Sequence, residues 1–212
     1  MGQLEKNLIK KLMAAGYNVT TGTLPYPTFD IIRKSEYYDE IKNTYKKLGG
    51  ILDEVPLNLR KWDVEVNGIA LELDEYLHFN RYRKITLESI LYNQLPKFPL
   101  TEYLNYCKYY EQKCIDAGSY GGKWTNASCE KQFGKASPNK VFTGVGSPRW
   151  KQRAFYDFVK DLTPLMYDFP LVRISIYDKV PVNNDQRQVK EILEYGGPFG
   201  MEELYKLIES RV

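Results

Sequence analysis

The residues with the most chemistry to offer fall in one stretch, Lys61 to Arg83, which reads KWDVEVNGIALELDEYLHFNRYR. Among its carboxylates are Asp63, Glu72 and Asp74, and it holds the only histidine of the chain, His78. Carboxylates of this kind suit a hard cation. Magnesium is held by one or two of them, with waters and substrate phosphates completing its shell. A metal so held activates water and neutralises charge on a phosphodiester. His78 follows the acidic pair and precedes Arg81 and Arg83, so it reads as a general base or a phosphate contact. The two arginines suit phosphate. A plainer reading is also open: a solvated acidic strand face, a structural histidine and surface charge.

The elements that must position these groups can be read from spacing. Trp62, Val64 and Val66 alternate with Lys61, Asp63 and Glu65. Asn67-Gly68 follows, the strongest two-residue hairpin signal, because both turn positions want positive φ. Ile69, Leu71 and Leu73 then alternate with Ala70, Glu72 and Asp74. Pairing Val66 with Ile69 sets Asp63 opposite Glu72, about 5 Å apart at Cβ. Carboxylates held that close repel unless a cation lies between them.

Residues 3–15 predict an amphipathic helix with Glu5 projecting into its apolar face, near the helix start or aimed at a site. Residues 16–34 look irregular. Ser35 is a good cap for a helix over 36–48, with Glu40 at the edge of its apolar stripe. Ile51 to Leu57 reads as a strand, which with the hairpin makes a three-strand meander. Helices are expected over Lys84–Gln94 and Thr101–Ala117. Residues 118–148 are rich in Gly, Ser, Asn and Lys. Lys123, Lys131, Lys135 and Lys140 alternate there with Trp124, Phe133 and Phe142. That pattern suits nucleic-acid backbone contact, or a solvated loop with anchoring aromatics. Ser147-Pro148 starts a helix over 148–162. Arg149, Lys151 and Arg153 crowd its first turns against the helix dipole, which points to an anionic partner. Leu171 to Tyr177 reads as a strand. Asn184 can cap a helix running to Tyr195, closed by Gly196-Gly197, and 199–210 is the last helix.

Composition excludes more than it assigns. With 212 residues, 43% hydrophobic and 27% charged, the chain suits one globular domain. A net charge of +3 permits a local basic surface without announcing nucleic acid. No apolar run is long enough to span a membrane. Three cysteines without a CxxC pair fit free thiols in a reducing cytoplasm. A structural zinc would need Cys107, Cys114, Cys129 and His78 together.

The order helix, strand, Asp-bearing strand, NG hairpin and E-x-D resembles the core of the PD-(D/E)XK nuclease superfamily. Its very-short-patch-repair-endonuclease-like branch is the nearest in pattern, with an acidic second strand followed by a histidine. The matching residues are Asp63, Glu72, Asp74 and His78, followed later by the basic helix Lys151–Leu162 and the strand Val172–Tyr177. The resemblance implies an α/β (α+β), restriction-endonuclease-like three-layer core with a central mixed sheet of about four to five strands. It implies a single domain with 84–147 inserted.

The resemblance further implies phosphodiester hydrolysis of DNA with Mg²⁺ or Mn²⁺ on Asp63, Glu72 and Asp74. Glu40, in preference to Glu5, would be the helix glutamate. His78 and Lys151 would handle proton transfer or charge. Arg81, Arg83, Lys123, Arg149, Lys151 and Arg153 would contact nucleic acid, and a two-strand cut calls for a homodimer. Two departures stand out. No proline precedes Asp63, and Asp74 occupies the usual lysine position, which leaves Lys151 or Arg153 as a migrated lysine. These departures keep a catalytically inactive nucleic-acid-binding protein on the same fold open as the alternative. A hydrolase for another phosphate substrate is a looser third reading.

Overall fold

The computed structural model of the chain describes residues 2–195 and 198–212. Helix α1 (Gln3–Ala14) buries Leu4, Leu8 and Leu12, the stripe that its spacing predicts. Strand β1 (Val19–Thr20) is followed by α2 (Phe29–Lys34), capped by Thr28, and α3 (Tyr38–Lys47). The hairpin strands are β2 (Val64–Val66) and β3 (Ile69–Asp74). Five helices come next: α4 (Arg81–Leu87), α5 (Leu100–Tyr109), α6 (Glu111–Gly118), α7 (Gly121–Trp124) and α8 (Ala127–Phe133). Then come α9 (Pro148–Asp161), α10 (Thr163–Met166) and β4 (Leu171–Ser175). The hairpin of β5 (Lys179–Val182) and β6 (Asp185–Gln188), α11 (Val189–Glu194) and α12 (Met201–Ser210) complete the order.

The main sheet runs β1-β2-β3-β4. Its first three strands are antiparallel and β4 lies parallel to β3. Asn67 and Gly68 both have positive φ, and Val66 pairs with Ile69, so the hairpin and its register are as the alternation predicts. One face of the sheet is apolar: Val64, Val66, Leu71, Leu73, Val172 and Ile174 share a core with the α1 leucines and with Leu204 and Ile208 of α12. The other face carries Glu72, Asp74 and Arg173, and α9 packs there through Asp157, Lys160 and Asp161. This arrangement is compatible with a three-layer α/β fold. Residues 84–147 send Leu87, Tyr92, Tyr103 and Trp124 into the same core.

Several boundaries differ from the expectations. Ile51 to Leu57 is not a strand. Ile51 and Leu52 are exposed, and Leu52 spends its backbone groups on Tyr45 Oη and Lys46 Nζ. The third antiparallel strand is β1 instead, inside the segment read as irregular; two residues are too few to show a period. Ser35 caps no helix start, because its hydroxyl donates back to the Ile32 carbonyl at 2.7 Å. Asn80 starts α4 earlier than Lys84, and Ile90–Gln94 is a separate 3₁₀ turn. The helix expected over 101–117 breaks at Tyr110. Asn183 and Asn184 form a positive-φ hairpin turn, not a helix cap. The proposed closure at Gly196-Gly197 lies outside the described residues. Loop 118–148 folds into α7 and α8, with Trp124 and Phe133 buried and Phe142 packed on Trp124 and Trp150. Trp124 and Phe133 are core anchors, unavailable for stacking on bases. All three cysteines are buried free thiols. Among the described residues no helix is long and apolar enough to cross a membrane.

Glu65 ties the 20–24 loop to β2. Its carboxylate accepts from the backbone N–H groups of Gly22 at 2.8 Å, Thr23 at 3.0 Å and Leu24 at 3.2 Å, and from the hydroxyls of Thr20 and Thr23. Burial opposes its ionisation, but these donors outweigh burial and hold the carboxyl below its ordinary value. Glu65→Ala is expected to cost about 1–2 kcal/mol in urea unfolding, since it removes the shared acceptor of several partly exposed donors. An unchanged midpoint would show that the loop is held some other way.

Candidate active site

The hairpin brings Asp63 and Glu72 together as its register requires. Asp63 N donates to Glu72 Oε1 at 3.2 Å, and Leu73 N donates to Asp63 Oδ2 at 3.1 Å. The cation between the carboxylates and α9 is Lys160. Its ammonium donates to Glu72 Oε1 at 2.6 Å and to the Lys61 carbonyl at 3.2 Å. Glu72 and Lys160 are only 5% and 7% exposed. Burial, aided by the charge of Asp63, pushes the Glu72 carboxyl up to about 7 against Lys160 and Arg173. Burial also raises the Asp63 carboxyl; Lys160 opposes this and Glu5 adds to it. Both carboxylates are therefore held where their charge is poorly compensated.

Behind them lies a balanced network centred on Arg173 of β4, which is fully buried. Its guanidinium donates to Asp161 Oδ1 at 2.5 Å, Asp74 Oδ1 at 2.7 Å and the Asp157 carbonyl at 3.1 Å. Arg83 Nη2 reaches the other Asp161 oxygen at 2.6 Å. Tyr103 Oη donates to Asp74 Oδ2 at 2.9 Å. His78 Nδ1 sits 2.8 Å from Asp157 Oδ2 and 3.1 Å from Asp74 Oδ1. Burial alone would lower the His78 value, but Asp157 and Asp74 outweigh it and the imidazole is raised. With His78 protonated, three cations face three carboxylates. Asp74, His78 and Asp157 are also close enough to hold a metal ion. Arg173 already neutralises that pair of carboxylates, so a proton on Nδ1 satisfies the site with less added charge.

A cleft of about 360 Å³ opens over these groups, lined by Asp63, Glu72, His78, Arg149, Arg153 and Lys160 among others. A second cavity, of about 320 Å³, adjoins it through Asp63, His78 and Arg153 and takes in Glu5, Glu75 and Lys123. A larger groove, of about 520 Å³ between α1 and α11, is lined by Asn7, Lys10 and Leu193 and holds none of these groups.

Of the residues singled out in the sequence, Asp63, Glu72, His78, Arg149 and Arg153 meet at the cleft, and Lys123 stands at the second cavity. The rest fall elsewhere. Asp74 is a support and not an open ligand, since both its oxygens are taken. Lys151 is turned away: two residues along a helix rotate about 200°, and its ammonium lies 5.4 Å from the Tyr82 ring centre, where burial lowers its value. Glu40 accepts from Ser89 Oγ at 2.8 Å and Asn43 Nδ2 at 3.0 Å, remote from the hairpin. The α1 glutamate at the cavity is Glu5, which also accepts the Gly2 N–H. Arg81 pairs with Glu111 and covers the Phe142 ring, and Arg83 is locked to Asp161, so neither faces the cleft.

Lys160, Asp157, Asp161 and Arg173 were missed. Their signal was present: charges at 157, 160 and 161 inside the apolar stripe of Phe155, Phe158, Val159 and Leu162, and one arginine inside VRISIY.

Two titrations check these electrostatics. The His78 imidazole should titrate above 6.5 by NMR, and Asp157→Asn should lower it. Because the folded value is raised, its stabilisation is full below 6.5 and fades as pH rises through the folded value; His78→Gln should lack that loss. Asp63 has the same slope with pH, because its value is raised as well, but it enters as a cost of the charged form. Its raised carboxyl costs stability increasingly as pH climbs past 3.8. Asp63→Asn should therefore raise Tm near neutrality by roughly 2–4 °C, the shift given by about 1 kcal/mol, and lose that gain in acid. A lower Tm at neutral pH would contradict this.

Residues 43–195, a span containing every group of the cleft and network named above except Glu5, match a family model described as "Family of unknown function (DUF7255)". No curated protein and no solved structure matches the chain. The match covers well over half of the sequence, and the chain belongs to that family of unknown function, DUF7255.

Proposed function

We propose that the chain is a metal-dependent nuclease of the PD-(D/E)XK type, hydrolysing phosphodiester bonds of DNA. The observation that carries the reading is the meeting of Asp63, Glu72 and Lys160 across β2, β3 and α9. The element order supports it: α1, the antiparallel strands β1 to β3, α9, then β4 parallel to β3. Asp74 stands at the usual lysine position, and Lys160 supplies the ammonium from α9 in place of Lys151.

The donor set fits Mg²⁺ or Mn²⁺. Half-buried Asp63 and buried Glu72 both have raised values, and Asp63 Oδ1 makes no hydrogen bond among the described residues. Glu5 opens onto the same cavity as Asp63. Asp63 and Glu72 would hold the ion, and a bound ion supplies water activation and charge neutralisation at phosphorus. Lys160 holds Glu72 in place and offers its ammonium to charge growing on the phosphate oxygens. His78, kept protonated by Asp157 and Asp74, gives a proton to the leaving oxygen. Arg149 and Arg153 hold the flanking backbone. Each chain carries one such site, so cutting both strands would take a homodimer. The buried free thiols suit the cytoplasm.

The test is cleavage of supercoiled plasmid and single-stranded DNA with Mg²⁺ or Mn²⁺. Asp63→Ala, Glu72→Ala and Lys160→Met should each lower the rate by roughly a hundredfold or more. Absent cutting, together with no thermal shift on adding Mn²⁺, would sink the proposal and favour an inactive nucleic-acid-binding protein.

A further inference from the structure

We infer that the cleft takes one unpaired nucleobase, so that the strand acted on is single-stranded or locally opened at the site. This rests on the nuclease reading of Asp63, Glu72 and Lys160 and adds a substrate class to it. The charged groups account for only part of the cleft lining. The remainder includes the amides of Asn58, Asn126 and Gln152, the hydroxyl of Ser128 and the phenol of Tyr156. None of these is needed to hold a phosphate. Asn126 Oδ1 already caps α8 at the Cys129 N–H and Gln152 Oε1 accepts from Arg149, so these two offer amide donors to a base edge, and the Asn58 amide offers a donor beside an acceptor.

Two of these side chains are fixed in advance. Gln152 is 4% exposed, and its carbonyl accepts from Arg149. Tyr156, one turn further along α9 and half-buried, accepts the Gln132 amide at 3.2 Å. An aromatic ring, amides and an arginine around one small space are the means by which unstacked bases are read.

Size and burial carry the argument further. At about 360 Å³ the cleft has the dimensions of a small-ligand site. Glu72 and Lys160 lie in its interior, so a phosphate must enter the cleft to reach them instead of crossing its mouth. A nucleotide that enters brings its base along. A paired base resists this, because unpairing and unstacking cost free energy; an already single-stranded base resists least. Arg60 and Lys61 lie on the same cleft, available to the neighbouring phosphates.

Fluorescence anisotropy with the full chain in EDTA separates this inference from catalysis. The probes are short labelled homopolymers of single-stranded DNA, the same lengths as duplex, and single-stranded RNA. Single strands should bind roughly tenfold tighter than duplex, and the homopolymers should differ from one another by a similar factor. Asn58→Ala, on an exposed segment, and Gln152→Met should each compress those differences without removing binding. Equal binding of RNA and DNA single strands would support the inference, since the base and not the sugar is what it concerns. Equal or tighter binding of duplex would overturn it, and so would base preferences unchanged in both variants. Failure of every probe to bind would overturn it as well. Asp63-dependent cleavage persisting in any of these cases would leave the nuclease reading standing without the base pocket.

Discussion

Arg173 is a full charge buried under a sheet, and the rest of the site follows from what is needed to keep it there. A buried guanidinium is tolerated only when carboxylates surround it. Asp74 comes from the neighbouring strand, and Asp157 and Asp161 come from α9. Those bonds settle how α9 is rolled against the sheet. Once Asp157 and Asp161 face Arg173, the residue between them on the same helical face must face the sheet as well, and that residue is Lys160. Its contact with Glu72 is thus a consequence of the network behind it. Asp161 also receives Arg83, which joins α4 to the same centre.

The two halves of this charged layer differ in balance. Behind, carboxylates and cations match in number and each oxygen of Asp74 and Asp161 has a donor. In front, Glu72 meets Lys160 at 2.6 Å and Arg173 at 3.9 Å, yet burial outweighs these cations and the Asp63 and Glu72 carboxyls are both pushed upward. A fold selected for stability alone would not leave that imbalance in place. Sites that work on charged substrates commonly hold their groups at such a cost. His78 belongs to both halves: its Nδ1 is bound by the rear network, and its ring lines the cleft.

The hairpin was the most legible part of the chain. Alternation and Asn67-Gly68 together fixed its register, and register alone placed Asp63 beside Glu72. The start of α9 was equally plain from Ser147-Pro148. The short strand β1 was not, because two residues carry no period, and a more strand-like segment at 51–57 competed for its place. Lys151 and Lys160 are both lysines on α9, and only the roll imposed by Arg173 distinguishes them, turning Lys151 toward Tyr82 and Lys160 toward Glu72. Arg81 and Arg83 looked like phosphate contacts because sequence shows charge without its partner. Glu111 and Asp161 lie 30 and 78 residues away. In 118–148, interleaved lysines and aromatics read equally as a binding loop or an anchored one, and burial of Trp124 and Phe133 decides for the anchor.

The central claim is that the unbalanced front carboxylates, and not the balanced cluster behind them, form the cation site. Calorimetric titration of Mn²⁺ into the wild-type chain, Asp63→Asn and His78→Gln tests it most directly. The account predicts binding in the wild type and in His78→Gln, and none in Asp63→Asn. It also predicts weaker binding at about pH 6 than at about pH 8, since Glu72 must lose a proton near 7. Binding that survives in Asp63→Asn and disappears in His78→Gln would contradict it and move the ion to Asp74, His78 and Asp157.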